Sequence, residues 1–127
     1  MPNASFRDER PGLYCVELRT SNWEASVEWY RNVLGLRVLV RVTDDGYGLL
    51  DAGETRLAIL AREVPGEATR RISLALEVPD LAAVADRLKR AGTTFTPPRS
   101  DREGLREINT VDPDGNRLRL FNWPKAR

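Results

Sequence analysis

At 127 residues the chain is long enough to bury a core without staples and too short for more than one domain or one pair of fused halves. Hydrophobic residues at 41% and charged residues at 31% exclude a disordered chain, and a net charge of +1 excludes the broad positive field that would hold nucleic acid or an anionic membrane. The lone Cys15 excludes an internal disulfide, and the absence of histidine removes the commonest transition-metal ligand and the commonest general base.

Residues 1–12 are polar and close with Pro11-Gly12, so they read as an N-terminal arm without the apolar core of a signal peptide. With no apolar run near the ~20 residues that span a bilayer, the expectation is a chain that works in a reducing cytoplasm. A first strand covers about Leu13 to Thr20. Ser21 and Glu24 then stand at capping-box spacing, which predicts a helix opening at Ser21. Trp23, Val27, Tyr30 and Leu34 recur on one face of that helix, and Gly35 supplies its left-handed stop. Three strands with short turns follow, LRVLVRV, YGLLDA and RLAILAR, completing a βαβββ module over 13–62.

Residues 63–71 read as a polar linker. The order then repeats over 72–123. ISLALEV is a strand, Asp80 caps a helix whose Leu81, Val84, Leu88 and Ala91 share a face, and Gly92 ends it. A short strand is expected over Thr93 to Thr96, stopped by Pro97-Pro98, with RSDREG as a polar loop. LREINTV, the turn Asp112-Pro113-Asp114-Gly115-Asn116 and RLRLFNW close the module. Laying Leu18 on Leu76 and Tyr30 on Leu88 aligns the halves as an internal repeat. The fold class is α+β, with two βαβββ modules forming a curved mixed sheet around a concave groove and helices on its outer face.

Strand alternation sorts the side chains. Tyr14, Val16 and Leu18, then Ile72, Leu74, Leu76 and Val78, then Leu118 and Leu120 form apolar sets that belong under the helices. The opposite sets face the concavity. They supply Cys15, Glu17, Ser73, Glu77, Arg117, Arg119, Phe121 and Trp123, joined by Leu60 and by Glu107, Asn109 and Val111 from neighbouring strands. With Tyr47 as a further aromatic wall, the expected ligand-binding residues are Cys15, Glu17, Tyr47, Leu60, Ser73, Glu77, Asn109, Arg119, Phe121 and Trp123.

The stretch LRTSNWEASVEWYRNVLGLRV and the closing DPDGNRLRLF resemble the vicinal oxygen chelate superfamily, which includes glyoxalase I, bleomycin-resistance proteins and extradiol dioxygenases. The likeness runs from Leu13 to Trp123. In that superfamily's metal enzymes, the ligands are His, Glu or Gln from the first and last strands of each module. Carried onto this chain, those positions are Cys15 and Ser73 on first strands, and about Leu60 and Arg119 on last strands. Leucine has no donor atom and arginine is a permanent cation, so no metal and no cofactor are expected. The resemblance therefore implies a metal-free protein of the bleomycin-resistance type that holds a small molecule, and a homodimer. The alternative it leaves is an enzyme using Glu17 or Glu77 as general base with Arg119 as electrostatic stabiliser, or a relocated metal site. A third possibility is a structural module whose groove has lost its function.

Overall fold

The computed structural model describes residues 9–123; the first eight positions of the expected N-terminal arm lie outside them. The elements in chain order are β1 (Cys15–Thr20), α1 (Trp23–Asn32), β2 (Arg37–Val42), β3 (Tyr47–Asp51), β4 (Arg56–Ala61), β5 (Ser73–Glu77), α2 (Leu81–Arg90), β6 (Arg99–Ser100), β7 (Arg106–Val111) and β8 (Arg117–Asn122). The expected architecture is present: two βαβββ modules of α+β class, each with its own four-stranded sheet, ordered β1-β4-β3-β2 and β5-β8-β7-β6. In both sheets the module's first and last strands pair in parallel and the remaining pairs are antiparallel. Among the described residues no helix is long and apolar enough to cross a membrane.

The chain forms two compact units. Of the described residues, one unit holds 9–23 together with Leu36–Pro65, and the other holds Glu24–Gly35 together with 66–123. The helix of the first module, beyond its opening tryptophan, thus counts with the second sheet.

In the first unit, Leu50, Leu57 and Ile59 are fully or almost fully buried on one face of the sheet. Trp23 Nε1 donates to the Ile59 carbonyl at 3.0 Å, which satisfies the indole N–H where a bare one would be costly. The β2–β3 turn closes through Gly46, whose φ of 61° lies in the left-handed region and whose carbonyl accepts the Ala61 N–H at 2.8 Å. The edge strand β2 carries a register shift between Val38 and Val40, a bulge of the kind that blunts edge pairing.

In the second unit, Ile108, Leu118 and Leu120 share one sheet face, and Leu81, Val84 and Leu88 of α2 are buried against it. Asp80 caps α2 as expected, its carboxylate accepting the Ala83 N–H at 3.1 Å. The helix ends in a Schellman arrangement, with the Gly92 N–H on the Lys89 carbonyl and the Thr93 N–H on the Leu88 carbonyl. Three side-chain bonds tie α1 into this unit. Trp29 Nε1 donates to Thr93 Oγ1 at 3.2 Å, the Tyr30 hydroxyl to Asp112 Oδ2 at 2.6 Å, and Arg87 Nε to the Val33 carbonyl at 2.8 Å. The last of these places a cation on an orphan carbonyl at the helix's negative end.

Three expectations are corrected. Helix α1 opens at Trp23 rather than through a Ser21–Glu24 capping box, and the turn into it is held by buried Thr20, whose Oγ1 accepts the Asn22 N–H at 3.0 Å. The sixth strand lies at Arg99–Ser100, inside the segment expected to be a loop, while Phe95 makes only a single bridge to Thr110. Pro97 and Pro98 have no N–H to give a ladder, so pairing lapses there and resumes beyond them. Tyr14 and Ile72, expected under the helices, are exposed, because each precedes the first paired residue of its strand.

Candidate functional site

Register sorts the side chains of each sheet. In the first, Cys15 pairs with Arg56, Glu17 with Ala58 and Arg19 with Leu60, while Leu49 pairs with Ala58 and Tyr47 with Leu60. Paired residues share a face, so Cys15, Glu17, Tyr47 and Leu60 stand on one side of this sheet. Leu49, Ala58 and Leu60 form a buried apolar cluster against which Cys15 and Tyr47 pack, so Leu60 serves as filling. Burial, and next the charge of Glu17, raise the Cys15 thiol above its ordinary range, and burial likewise raises the Tyr47 phenol. Glu17 is exposed and pairs at 3.5 Å with Arg19, an arrangement that gives a carboxylate no water-excluded site in which to act as a base.

In the second sheet, Ser73 pairs with Arg117 and Arg117 with Val111; Arg119 lies between Ala75 and Asn109; Phe121 lies between Glu77 and Glu107. Ser73, Glu77, Asn109, Arg119 and Phe121 therefore share a face, opposite the one that α2 covers. A pocket of about 430 Å³ opens among these residues. Ser73, Asn109 and Arg119 line it, and the chain segment Thr94–Thr96 runs along one side. That segment is pinned where it passes: Asn109 N–H donates to Thr96 Oγ1 at 2.9 Å, the Thr96 N–H donates to the Asn109 carbonyl at 2.9 Å, and Thr110 Oγ1 donates to the Thr94 carbonyl at 2.7 Å. The pocket wall is thereby fixed by backbone and hydroxyl bonds rather than by loose side chains.

Glu77, Phe121 and Trp123 are not part of this lining. Phe121 acts one step removed. The Arg119 guanidinium lies 4.9 Å from its ring centroid and donates from Nη1 to Glu107 Oε1 at 2.9 Å. Trp123, just past β8, is more than half exposed. Sequence reasoning passed over Thr94 and Thr96, and it placed Arg117 on this face without counting it among the ligand-binding residues. The parity that selected Ser73 pointed equally to Arg117, its cross-strand partner, whereas the threonines sit in a segment whose path depends on the Pro97-Pro98 break.

The four positions that the resemblance assigns to metal ligands do not fit a metal. Leu60 is buried hydrocarbon, Arg119 is a cation already committed to Glu107, Ser73 offers a neutral hydroxyl, and Cys15 is a thiol that burial keeps protonated. Among the described residues no three Cys, Asp or Glu side chains are grouped to hold a metal ion.

The family model for the Glyoxalase/Bleomycin resistance protein/Dioxygenase superfamily matches residues 12–120. The chain is 28% identical to the uncharacterized protein YraH of Bacillus subtilis (strain 168), over 86% of this chain and 96% of that protein. Among solved structures it is similar to a glyoxalase/bleomycin resistance protein/dioxygenase from Nocardioides, with 25% identity, a TM-score of 0.66 and coverage of 94% of this chain and 87% of that one. It is also similar to the bleomycin resistance determinant encoded on the transposon Tn5, with 21% identity, a TM-score of 0.68 and coverage of 90% and 99%.

Proposed function

The chain belongs to the Glyoxalase/Bleomycin resistance protein/Dioxygenase superfamily, and we propose that it is a small-molecule binding protein of that superfamily which works without a metal. The ligand sits in the pocket of the second sheet. One observation carries this reading: a pocket of about 430 Å³, lined by Ser73, Asn109 and Arg119, lies on the sheet face that the second module leaves uncovered by α2. Its volume falls within the ~300–1,000 Å³ typical of small-molecule sites. The unfit metal positions and the exposure of Glu17 and Glu77 weigh against the enzyme alternatives. The superfamily likeness further supports a homodimer, which light scattering tests directly.

Binding to the folded state alone raises stability by mass action, so a thermal-shift screen of drug-like and metabolite compounds should find ligands that raise the unfolding midpoint. Amide shifts on ligand addition should centre on Ser73, Asn109 and Arg119. A ligand that stabilises the protein while leaving those amides unmoved would place its site elsewhere and sink this reading.

A further inference from the structure

The pocket of the second sheet carries charge of one sign. Arg117 and Arg119 both line it, and among the described residues no acidic one does. Arg119 is engaged with Glu107 and with the Phe121 ring. Arg117 is not engaged in that way. Its hydrogen bond is a long one, 3.5 Å from Nη1 to the Arg70 carbonyl, and among the described residues no carboxylate pairs with it. Its own position is exposed, so the guanidinium is free to turn toward a ligand.

The register sets what surrounds that cation. Ser73 is its direct neighbour on β5 and Val111 its neighbour on β7, while Asn109 stands one row along the same face, opposite Arg119. Strands lie about 4.8 Å apart and same-face residues about 7 Å apart along a strand, so Ser73 stands one strand from Arg117, and Asn109 one strand and one row from it on the other side, each within reach of a ligand held on the long guanidinium. The Ser73 hydroxyl and the Asn109 amide are exposed donors not committed to other described residues. Val111 and Phe95 give the same pocket apolar surface. Donors and an unspent positive charge at one place, with hydrocarbon beside them, match an oxyanion on an apolar body. A cationic ligand would need a carboxylate here, and Glu107, on the neighbouring row, is already neutralised by Arg119.

We infer that the pocket takes a small organic anion, a carboxylate or sulfonate on an apolar body, with Arg117 as its counter-charge and Ser73 and Asn109 as hydrogen-bond donors. The inference rests on the reading of this pocket as the ligand site and adds the ligand's charge to it. The planar guanidinium fork suits two oxygens of such a group, which a lysine at the same place would not reproduce.

The test is a titration of the full chain with naphthoate, naphthamide and naphthylmethylammonium, three probes that share a ring system and differ in charge, followed by calorimetry and by amide shifts. Naphthoate should bind at least about tenfold more tightly than naphthamide, with the cation weakest and the preference shrinking in high salt. Arg117→Gln should weaken naphthoate far more than naphthamide and so close the gap between the two. Naphthamide or the cation binding in the pocket as tightly as naphthoate would leave the ligand site standing and overturn the anion. A naphthoate preference that survives Arg117→Gln would overturn the assignment to Arg117. No binding by any of the three, with the Ser73, Asn109 and Arg117 amides unmoved, would overturn both this inference and the reading beneath it. The charge comparison on the unaltered chain stands whether or not the variant folds.

Discussion

The Tyr30 hydroxyl donates to Asp112 Oδ2 at 2.6 Å, joining the last turn of α1 to the β7–β8 turn across 82 positions of sequence. Both residues are buried, and Asp112 also accepts the N–H groups of Asp114 and Asn116 and the Asn116 side-chain amide. Tyr30→Phe removes one bond and leaves a buried carboxylate oxygen one donor short, which should cost about 1–3 kcal/mol in urea unfolding at neutral pH. Asp112→Ala should cost more, because it strands the tyrosine and the turn donors together. Burial first, and the Asp112 charge second, hold the Tyr30 phenol far above its ordinary range. The sign follows: above pH ~10 the unfolded chain sheds the proton while the folded chain keeps it, so stability falls as pH rises. Tyr30→Phe should flatten that alkaline decline, and an unchanged slope would count against the buried phenol as its source.

Gly46 sits where a side chain has no room. Its φ is positive, and a Cβ there would overlap the Cβ of Ala61, whose N–H bonds the Gly46 carbonyl. Gly53 has the same sign of φ but open space around it. Gly53→Ala should therefore show the backbone cost alone, about 1–2 kcal/mol, and Gly46→Ala should exceed it by the overlap with a strand that must shift. Equal midpoints for the two variants in thermal unfolding would show that the β3–β4 packing yields more easily than the close approach implies.

Much of the fold could be read from side-chain type alone. Alternation in β1, β5 and β8 sorted faces that the register reproduces, and the Asp80 cap and the Gly35 and Gly92 stops each need only local chemistry. What escaped was non-local. Tyr30 looked like one more member of an apolar stripe and Asp112 like one more turn residue, since nothing in either neighbourhood encodes the bond between them. The same holds in the candidate site. Parity placed Ser73 and Arg119 on one face, but which polar neighbour Arg119 takes, the diagonal Glu107 rather than the directly opposite Asn109, depends on side-chain reach across the strands. Ser21 misled because its spacing to Glu24 was right while buried Thr20, one residue earlier, had the better-placed oxygen.

Cys15 should react slowly. The thiolate is the nucleophile, and burial and then Glu17 push the thiol upward while Arg56 pulls it down. Alkylation by iodoacetamide should reach half its plateau rate at a higher pH than for free cysteine. Glu17→Gln should move that midpoint down and Arg56→Gln should move it up. A midpoint at or below that of free cysteine would mean that the strand environment activates the thiol rather than masking it.

Metal addition gives the last expectation. A tetrahedral zinc site in an enzyme needs about three protein donors around an open position, and octahedral ions need more oxygen ligands still. Of the four positions that superfamily likeness points to, Leu60 contributes hydrocarbon, Ser73 a hydroxyl of low basicity, and Arg119 a charge that repels a cation while it holds Glu107 at 2.9 Å. Cys15 alone could supply an anion, and then only by giving up the proton that burial helps it keep. Protein isolated without chelator should therefore carry no stoichiometric transition metal, and neither zinc, nickel nor manganese should raise its unfolding midpoint. Arg119→Glu should not create a site either, since it sets a second carboxylate diagonally across from Glu107 with no nitrogen or thiolate donor beside them. Elemental analysis finding one metal per chain, with its removal lowering the midpoint, would show that donors outside these four positions assemble a site.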